Sequence, residues 1–108
     1  MPKSVFLGEF EQLVLLSLLR LGDEGYALPL RQRLNEVAGR KVSRGALYRT
    51  LERMEQKGLV AWELEDGIQN RGGHTRRCYH VTAGGVAVLR QARYALLELW
   101  DGLEEALK

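Results

Sequence analysis

The stretch Val42-Ser43-Arg44-Gly45-Ala46-Leu47-Tyr48-Arg49-Thr50-Leu51-Glu52-Arg53-Met54-Glu55-Gln56-Lys57-Gly58-Leu59-Val60 decides the fold. It reads as a short helix with a cap, a stop and two faces of opposite chemistry. Ser43 is placed as an N-cap, its hydroxyl able to accept a bond from an unpaired N–H of the first turn. Gly58 stands where a left-handed residue ends a helix, and apolar and β-branched residues follow it. Leu47, Leu51 and Met54 recur on one side at helical spacing, with Thr50 beside them. The other side carries Gly45, Arg49, Glu52, Arg53 and Gln56. Two arginines, an amide and a glycine suit a helix laid against base edges in a major groove. A solvated face with two arginines is the plainer reading, and this helix alone does not choose between them.

Upstream, the periodicity gives two more helices. From Gly8 to Leu21, Phe10, Leu13, Val14, Leu18 and Leu21 form an apolar face, which ends at Gly22-Asp23-Glu24-Gly25. A second helix runs from about Tyr26 to Ala38, with Ala27, Leu30, Leu34, Val37 and Ala38 facing the core. Pro29 lies in its first turn, where the missing N–H costs nothing, and Gly39 stops it. A tight turn then leads into the capped third helix, which outlines a helix-turn-helix.

Downstream of Gly58 the period changes to two. Val60, Trp62 and Leu64 alternate with Ala61, Glu63 and Glu65 as a half-buried strand. Residues 66–74 hold glycines and an asparagine and read as a loop. Arg77, Tyr79 and Val81 alternate with Arg76, Cys78 and His80 on the returning strand, and cross-strand ion pairs with the acidic partner are expected. The hairpin is a wing, and its tip, Arg71-Gly72-Gly73-His74-Thr75-Arg76-Arg77, is basic and able to lie close to a nucleic-acid backbone. A solvent-exposed hairpin kept soluble by its arginines is the alternative.

Thr82 caps a last helix, expected to run from Ala83 to Lys108. Val86, Leu89, Arg93, Leu96, Trp100, Leu103 and Leu107 make a heptad seam interrupted by the arginine. Val88, Ala92, Ala95, Leu99 and Ala106 form a second stripe. One helix with two apolar stripes has more to bury than a small domain covers, which points to a two-fold dimer. The fold class is therefore mainly α with a small antiparallel β-hairpin. Residues 1–82 form a winged helix-turn-helix domain and 83–108 a C-terminal dimerisation helix. Trp100, with Leu96, could line an interface cavity for a flat aromatic effector, where stacking adds to burial; plain core packing is the other reading.

With 108 residues there is room for one domain. The net charge of +2 conceals strong local differences. Residues 40–57 carry Arg40, Lys41, Arg44, Arg49, Arg53 and Lys57 against Glu52 and Glu55, a net of +4. Residues 58–66 are −3 through Glu63, Glu65 and Asp66, and residues 67–82 return to +3 through Arg71, Arg76 and Arg77. Two basic segments thus flank one acidic strand, and a polyanion responds to local charge. The single Cys78 excludes an intrachain disulfide and fits a reducing compartment. No signal peptide is evident, and the run from Leu13 to Leu21 is too short to span a bilayer, so a cytoplasmic protein without membrane contact is expected.

Enzymatic chemistry has little support. Cys78, His80 and His74 make three candidate zinc ligands without a fourth and without paired cysteine spacing, so no metal or other cofactor is expected. Both histidines lie in the hairpin, which leaves no catalytic triad to build. The Gly72-Gly73 pair lacks the lysine and following helix of a phosphate-binding loop.

A group of residues carries a more specific likeness: Gly25-Tyr26, Gly45-Ala46-Leu47-Tyr48 with Leu51, Met54-Glu55, Gly58-Leu59-Val60, Gly72-Gly73, Arg76-Arg77-Cys78-Tyr79 and His80-Val81-Thr82-Ala83-Gly84-Gly85. On these the chain resembles PadR-type transcriptional regulators over nearly its whole length, in the short subclass with one C-terminal helix. It departs from the pattern at Cys78, where a bulky residue is usual, and at Thr50. The resemblance implies a winged-helix homodimer that binds a palindromic operator in double-stranded DNA, usually as a repressor. It also implies that a planar aromatic compound could be the effector. On this reading Arg49, Arg53 and Gln56 read bases, while Ser43, Arg44 and Tyr48 hold phosphates near the start of the third helix. Arg71, Gly72, Gly73, Arg76 and Arg77 bring the wing onto the backbone. The competing expectation is a winged-helix module that receives a different protein on its apolar surface and binds no operator.

Overall fold

The computed structural model describes residues 7–39, 41–65 and 76–108. The chain forms helices α1 (Glu9–Leu21), α2 (Ala27–Ala38) and α3 (Arg44–Gln56), strands β1 (Val60–Glu65) and β2 (Arg76–Val81), and helix α4 (Ala83–Trp100). Short 3₁₀ turns occupy Gly22–Glu24 and Glu105–Leu107. This is the mainly helical winged helix-turn-helix expected from the sequence. Among the described residues, no helix is long and apolar enough to cross a membrane.

The local signals act as their chemistry requires. Ala46 N–H donates to Ser43 Oγ at 3.1 Å, and Gly85 N–H donates to Thr82 Oγ1 at 3.0 Å. Gly58 takes a left-handed φ of 77° and closes α3 before β1 begins. Within the helix-turn-helix, Val42 N–H donates to Asn35 Oδ1 at 2.7 Å, which fastens the start of α3 to the last turns of α2. The strands pair antiparallel with Val60 opposite Val81 and Glu65 opposite Arg76.

The core collects Val14, Leu15 and Leu18 of α1, Leu30 and Leu34 of α2, and Leu47, Leu51 and Met54 of α3. Leu59, Val60, Tyr79 and Leu89 close it from the wing side. The buried stripe of α1 is rotated from the expected one. Glu11, Val14, Leu15, Ser17 and Leu18 are buried, while Phe10, Leu13 and Leu21 pack at its margin. Val37 does not face the core as expected and is 59% exposed, because α2 inserts only Leu30 and Leu34.

The wing is fixed to the helices by backbone. Tyr79 N–H donates to the Gly25 carbonyl at 2.8 Å, and Thr82 N–H to the Leu59 carbonyl at 3.0 Å. A Cβ on residue 25 would overlap the Tyr79 carbonyl, so only glycine admits this approach.

The C-terminal helix corrects the sequence expectation at its end. It stops at Trp100, where Asp101 leaves helical geometry and Gly102 turns at φ 83°. Leu103 and Leu107 therefore lie beyond the helix and do not continue the heptad seam. The first turns of α4 belong to the domain core, since Gly85 and Leu89 are buried there.

Candidate nucleic-acid interface

The outward face of α3 is built by the packing of the opposite one. Leu47, Thr50, Leu51 and Met54 are buried, which turns Arg44, Gly45, Tyr48, Arg49, Glu52, Arg53 and Gln56 to solvent. Gly45 gives Arg49 room to lie back along the helix. A Cβ at position 45 would sit 3.1 Å from Arg49 Nη1, so the guanidinium rests over the glycine near the helix N-terminus. The N-terminal end of α3 therefore concentrates Arg44, Arg49 and the unpaired N–H groups of a first turn, an arrangement that attracts phosphate.

Arg53 is placed differently. Its Nε–H donates to Glu11 Oε2 at 3.3 Å, and Lys57 Nζ donates to the same oxygen at 3.0 Å. Gly8 N–H donates to Glu11 Oε1 at 3.0 Å. Burial alone would raise the Glu11 pKa, but the Gly8 N–H and then the Lys57 and Arg53 donors outweigh it and hold the carboxyl below its ordinary range. The sequence reading missed Glu11. Its signal was a carboxylate in the register of Val14, Leu15 and Leu18 on an apolar helix face.

Beside α3 the strands and the first turn of α2 form a cleft of about 910 Å³. Arg31, Arg44, Arg76 and Arg77 line it together with Tyr26, Tyr48, Leu28 and Leu64. The wing arginines lie on aromatic rings: Arg76 stands 3.6 Å from the Tyr26 ring centroid and Arg77 4.1 Å from that of Trp62. A guanidinium stacked on a ring keeps its N–H edge free for an anion. The expected ion pairing of the opposed Glu65 and Arg76 is replaced by a shared partner. The Tyr26 hydroxyl donates to the Glu65 carboxylate while its ring supports Arg76. That hydrogen bond, reinforced by burial, pushes the Tyr26 pKa up to about 12. Arg31 and Tyr26 were not anticipated as parts of this surface, because only the fold brings α2 beside the wing.

The structure thus brings Arg44, Tyr48, Arg76 and Arg77 to one cleft, with Ser43 capping the start of α3, Arg49 lying back over Gly45, and Arg53 and Gln56 farther along the helix. Arg71, Gly72 and Gly73 of the expected wing tip lie outside the described residues. Along α4, Val86 is half-buried and Leu89 is spent within its own subunit, at 9% exposure. Arg93 is exposed, as are Leu96 and Trp100. Among the described residues, no group of three or more His, Cys, Asp or Glu side chains could hold a metal ion.

Comparison with known proteins agrees with this architecture. Residues 15–91 match the model of the transcriptional regulator PadR-like family. Over 61 residues, the chain is 43% identical to transcriptional regulator Rv3488 of Mycobacterium tuberculosis, a match covering 56% of this chain and 53% of that protein. The chain thus spans about half the length of the curated relative it matches. The crystal structure of a PadR family transcriptional regulator from Eggerthella lenta is similar with a TM-score of 0.66 and 31% identity, covering 93% of this chain and 87% of that one. A PadR-like regulator from Bacillus cereus shares the fold at a TM-score of 0.72 and 24% identity, over 92% of this chain and 91% of its own. The family match covers well over half of the chain and accords with its winged helix: the chain belongs to the transcriptional regulator PadR-like family.

Proposed function

We propose that this regulator binds an inverted-repeat operator in double-stranded DNA as a homodimer and acts as a repressor. The observation that carries the reading is the exposed face of α3, where Arg49 lies over Gly45 beside Arg44, next to a wing whose Arg76 and Arg77 are stacked for phosphate contact. Arg49, Arg53 and Gln56 are assigned to base edges, and Ser43, Arg44 and Tyr48 to phosphates at the start of α3. Arg71, Gly72, Gly73, Arg76 and Arg77 are assigned to the DNA backbone along the wing.

Dimerisation is assigned to the second half of α4, whose Leu96, Leu97, Leu99 and Trp100 are 45–72% exposed in one subunit. Arg93 falls within that surface; Val86 and Leu89 precede it, Leu89 being held in its own core, and Leu103 and Leu107 lie just past the helix end. Two-fold symmetry places the half-sites roughly 10 base pairs apart. The test is a binding selection on random duplexes, followed by titration against salt. An enriched inverted repeat with a steep salt dependence supports the reading. A chain that enriches no sequence and binds a different protein through α4 would instead be an interaction module.

The effector is assigned to the same dimer surface. Trp100 and Leu96 are 45% and 48% exposed one helical turn apart, a wall suited to a planar aromatic compound. A ligand that binds unequally to the free and DNA-bound states would release the operator. Fluorescence titration in a Trp62→Phe background should show saturable quenching of Trp100 together with loss of DNA binding. Quenching without any change in DNA affinity would remove the effector from this site.

A further inference from the structure

Glu11 is a carboxylate almost without solvent access, 5% exposed on the core-facing side of α1. A buried carboxylate is costly unless its charge is matched, and here the matching groups come from the DNA-facing helix. Arg53 and Lys57 of α3 both converge on Glu11 Oε2. The two cations are held unequally. Arg53 donates through Nε, at the inner edge of its guanidinium, and half of its side chain stays exposed. Lys57 spends its single ammonium on the carboxylate. The terminal amino groups of an arginine gripped by Nε form a fork pointing away from the grip, and such a fork pairs with O6 and N7 of guanine.

We infer that Glu11 is the positioning residue for Arg53: it orients the guanidinium so that its terminal amino groups face the DNA, while Lys57 balances the charge left on the carboxylate. The inference rests on the proposal that α3 reads base edges. It assigns a role in sequence preference to a residue of α1 that has no contact with DNA of its own. The low Glu11 pKa is consistent, since it keeps the carboxylate charged throughout the neutral range. Fixing the rotamer in advance leaves less side-chain entropy to be lost on binding.

The experiment compares Glu11→Ala, Glu11→Gln, Arg53→Ala and the double variant Glu11→Ala/Arg53→Ala, using the duplex selected by the unaltered protein and a scrambled duplex. Glu11→Ala should lower the preference for the selected duplex by about tenfold, within the range of one bidentate arginine–guanine pair. Binding to scrambled DNA should become more salt-dependent, because Arg53 and Lys57 are released to phosphates. Glu11→Gln preserves size and an acceptor for Nε, so it should fold and keep part of the preference while sharing the steeper salt dependence. In the Arg53→Ala background, Glu11→Ala should leave the preference unchanged. Equal weakening on both duplexes by both Glu11 variants would overturn the inference, since that is what a purely structural carboxylate does. A full further loss in the Arg53→Ala background would overturn it as well. If Arg53→Ala itself leaves preference intact while Arg49→Ala abolishes it, base reading by α3 survives and the role of Glu11 does not.

Discussion

Helices α3 and α4 both begin at a hydroxyl cap, Ser43 and Thr82, and both carry an apolar face. In α3 that face is consumed at home: four residues out of 13 are buried, and what remains outside is basic. In α4, an 18-residue helix, only Gly85 and Leu89 are buried, and leucines and a tryptophan remain outside. The same local grammar thus produces two surfaces with opposite needs. One offers positive charge and suits a polyanion, whereas the other offers apolar area that stays in water until a protein covers it.

The comparison can be broken most forcefully in the core. Leu51→Ala should cost roughly 2–5 kcal/mol in urea denaturation, as expected for truncating a fully packed leucine, whereas Leu99→Ala should cost little in a monomer at low concentration. Equal costs would mean that α4 is already covered within one subunit. Next in size, Leu96→Glu should weaken dimerisation by roughly 2–4 kcal/mol, the scale of an interface hot spot, measured by sedimentation equilibrium. A truncation meant to produce monomer should be made after Arg93, because a cut after Thr82 also removes the core residue Leu89.

The charged surface supplies the third test. Arg49→Ala should cost about 1–3 kcal/mol on the selected operator and relax one base position, while Arg77→Ala weakens all duplexes alike. The caps sharpen the contrast further. Ser43→Ala should cost about 1 kcal/mol. Thr82→Ala should cost more, because Thr82 Oγ1 also donates to the Gly58 carbonyl at 2.7 Å. The smallest effect is pH-linked. Tyr26 has a folded pKa of about 12 against an ordinary 10.0, so its contribution is complete below pH 10 and is lost as pH rises toward 12. Tyr26→Phe should flatten the stability profile across that alkaline window.

The caps, the stop at Gly58 and the buried face of α3 were legible because each is decided by neighbours in sequence. The expected alternation in β1 fails at its far end: Val60 is buried, Ala61 and Trp62 are both half-buried, and Leu64 is 61% exposed, because the strand runs off the core after Trp62. The same locality misled at α4. Leu103 and Leu107 keep the heptad rhythm, and that rhythm concealed the stop that Asp101 and Gly102 impose. Arg53 could be read as exposed from spacing alone, but its partner Glu11 lies 42 residues away. The Tyr26–Glu65 hydrogen bond spans 39 residues, and no periodicity encodes it. Sequence therefore outlined the basic surface, while the contacts that aim its side chains came only from the assembled fold.

The docking of β2 against Gly25 also sets an order of events in time. The bond between Tyr79 and Gly25, like the contact of Cys78 with the Asp23 carbonyl 55 residues away, joins distant parts of the chain. Non-local contacts of that kind slow folding relative to local helical ones. On a ribosome, which delivers the N-terminal part first, the three helices are complete before the strand that seals them has been made. Until residues 81 to 89 have emerged, the nascent domain holds open the side that Tyr79 and then Leu89 of α4 later cover, so the wing and the first turns of α4 close the core after the three helices.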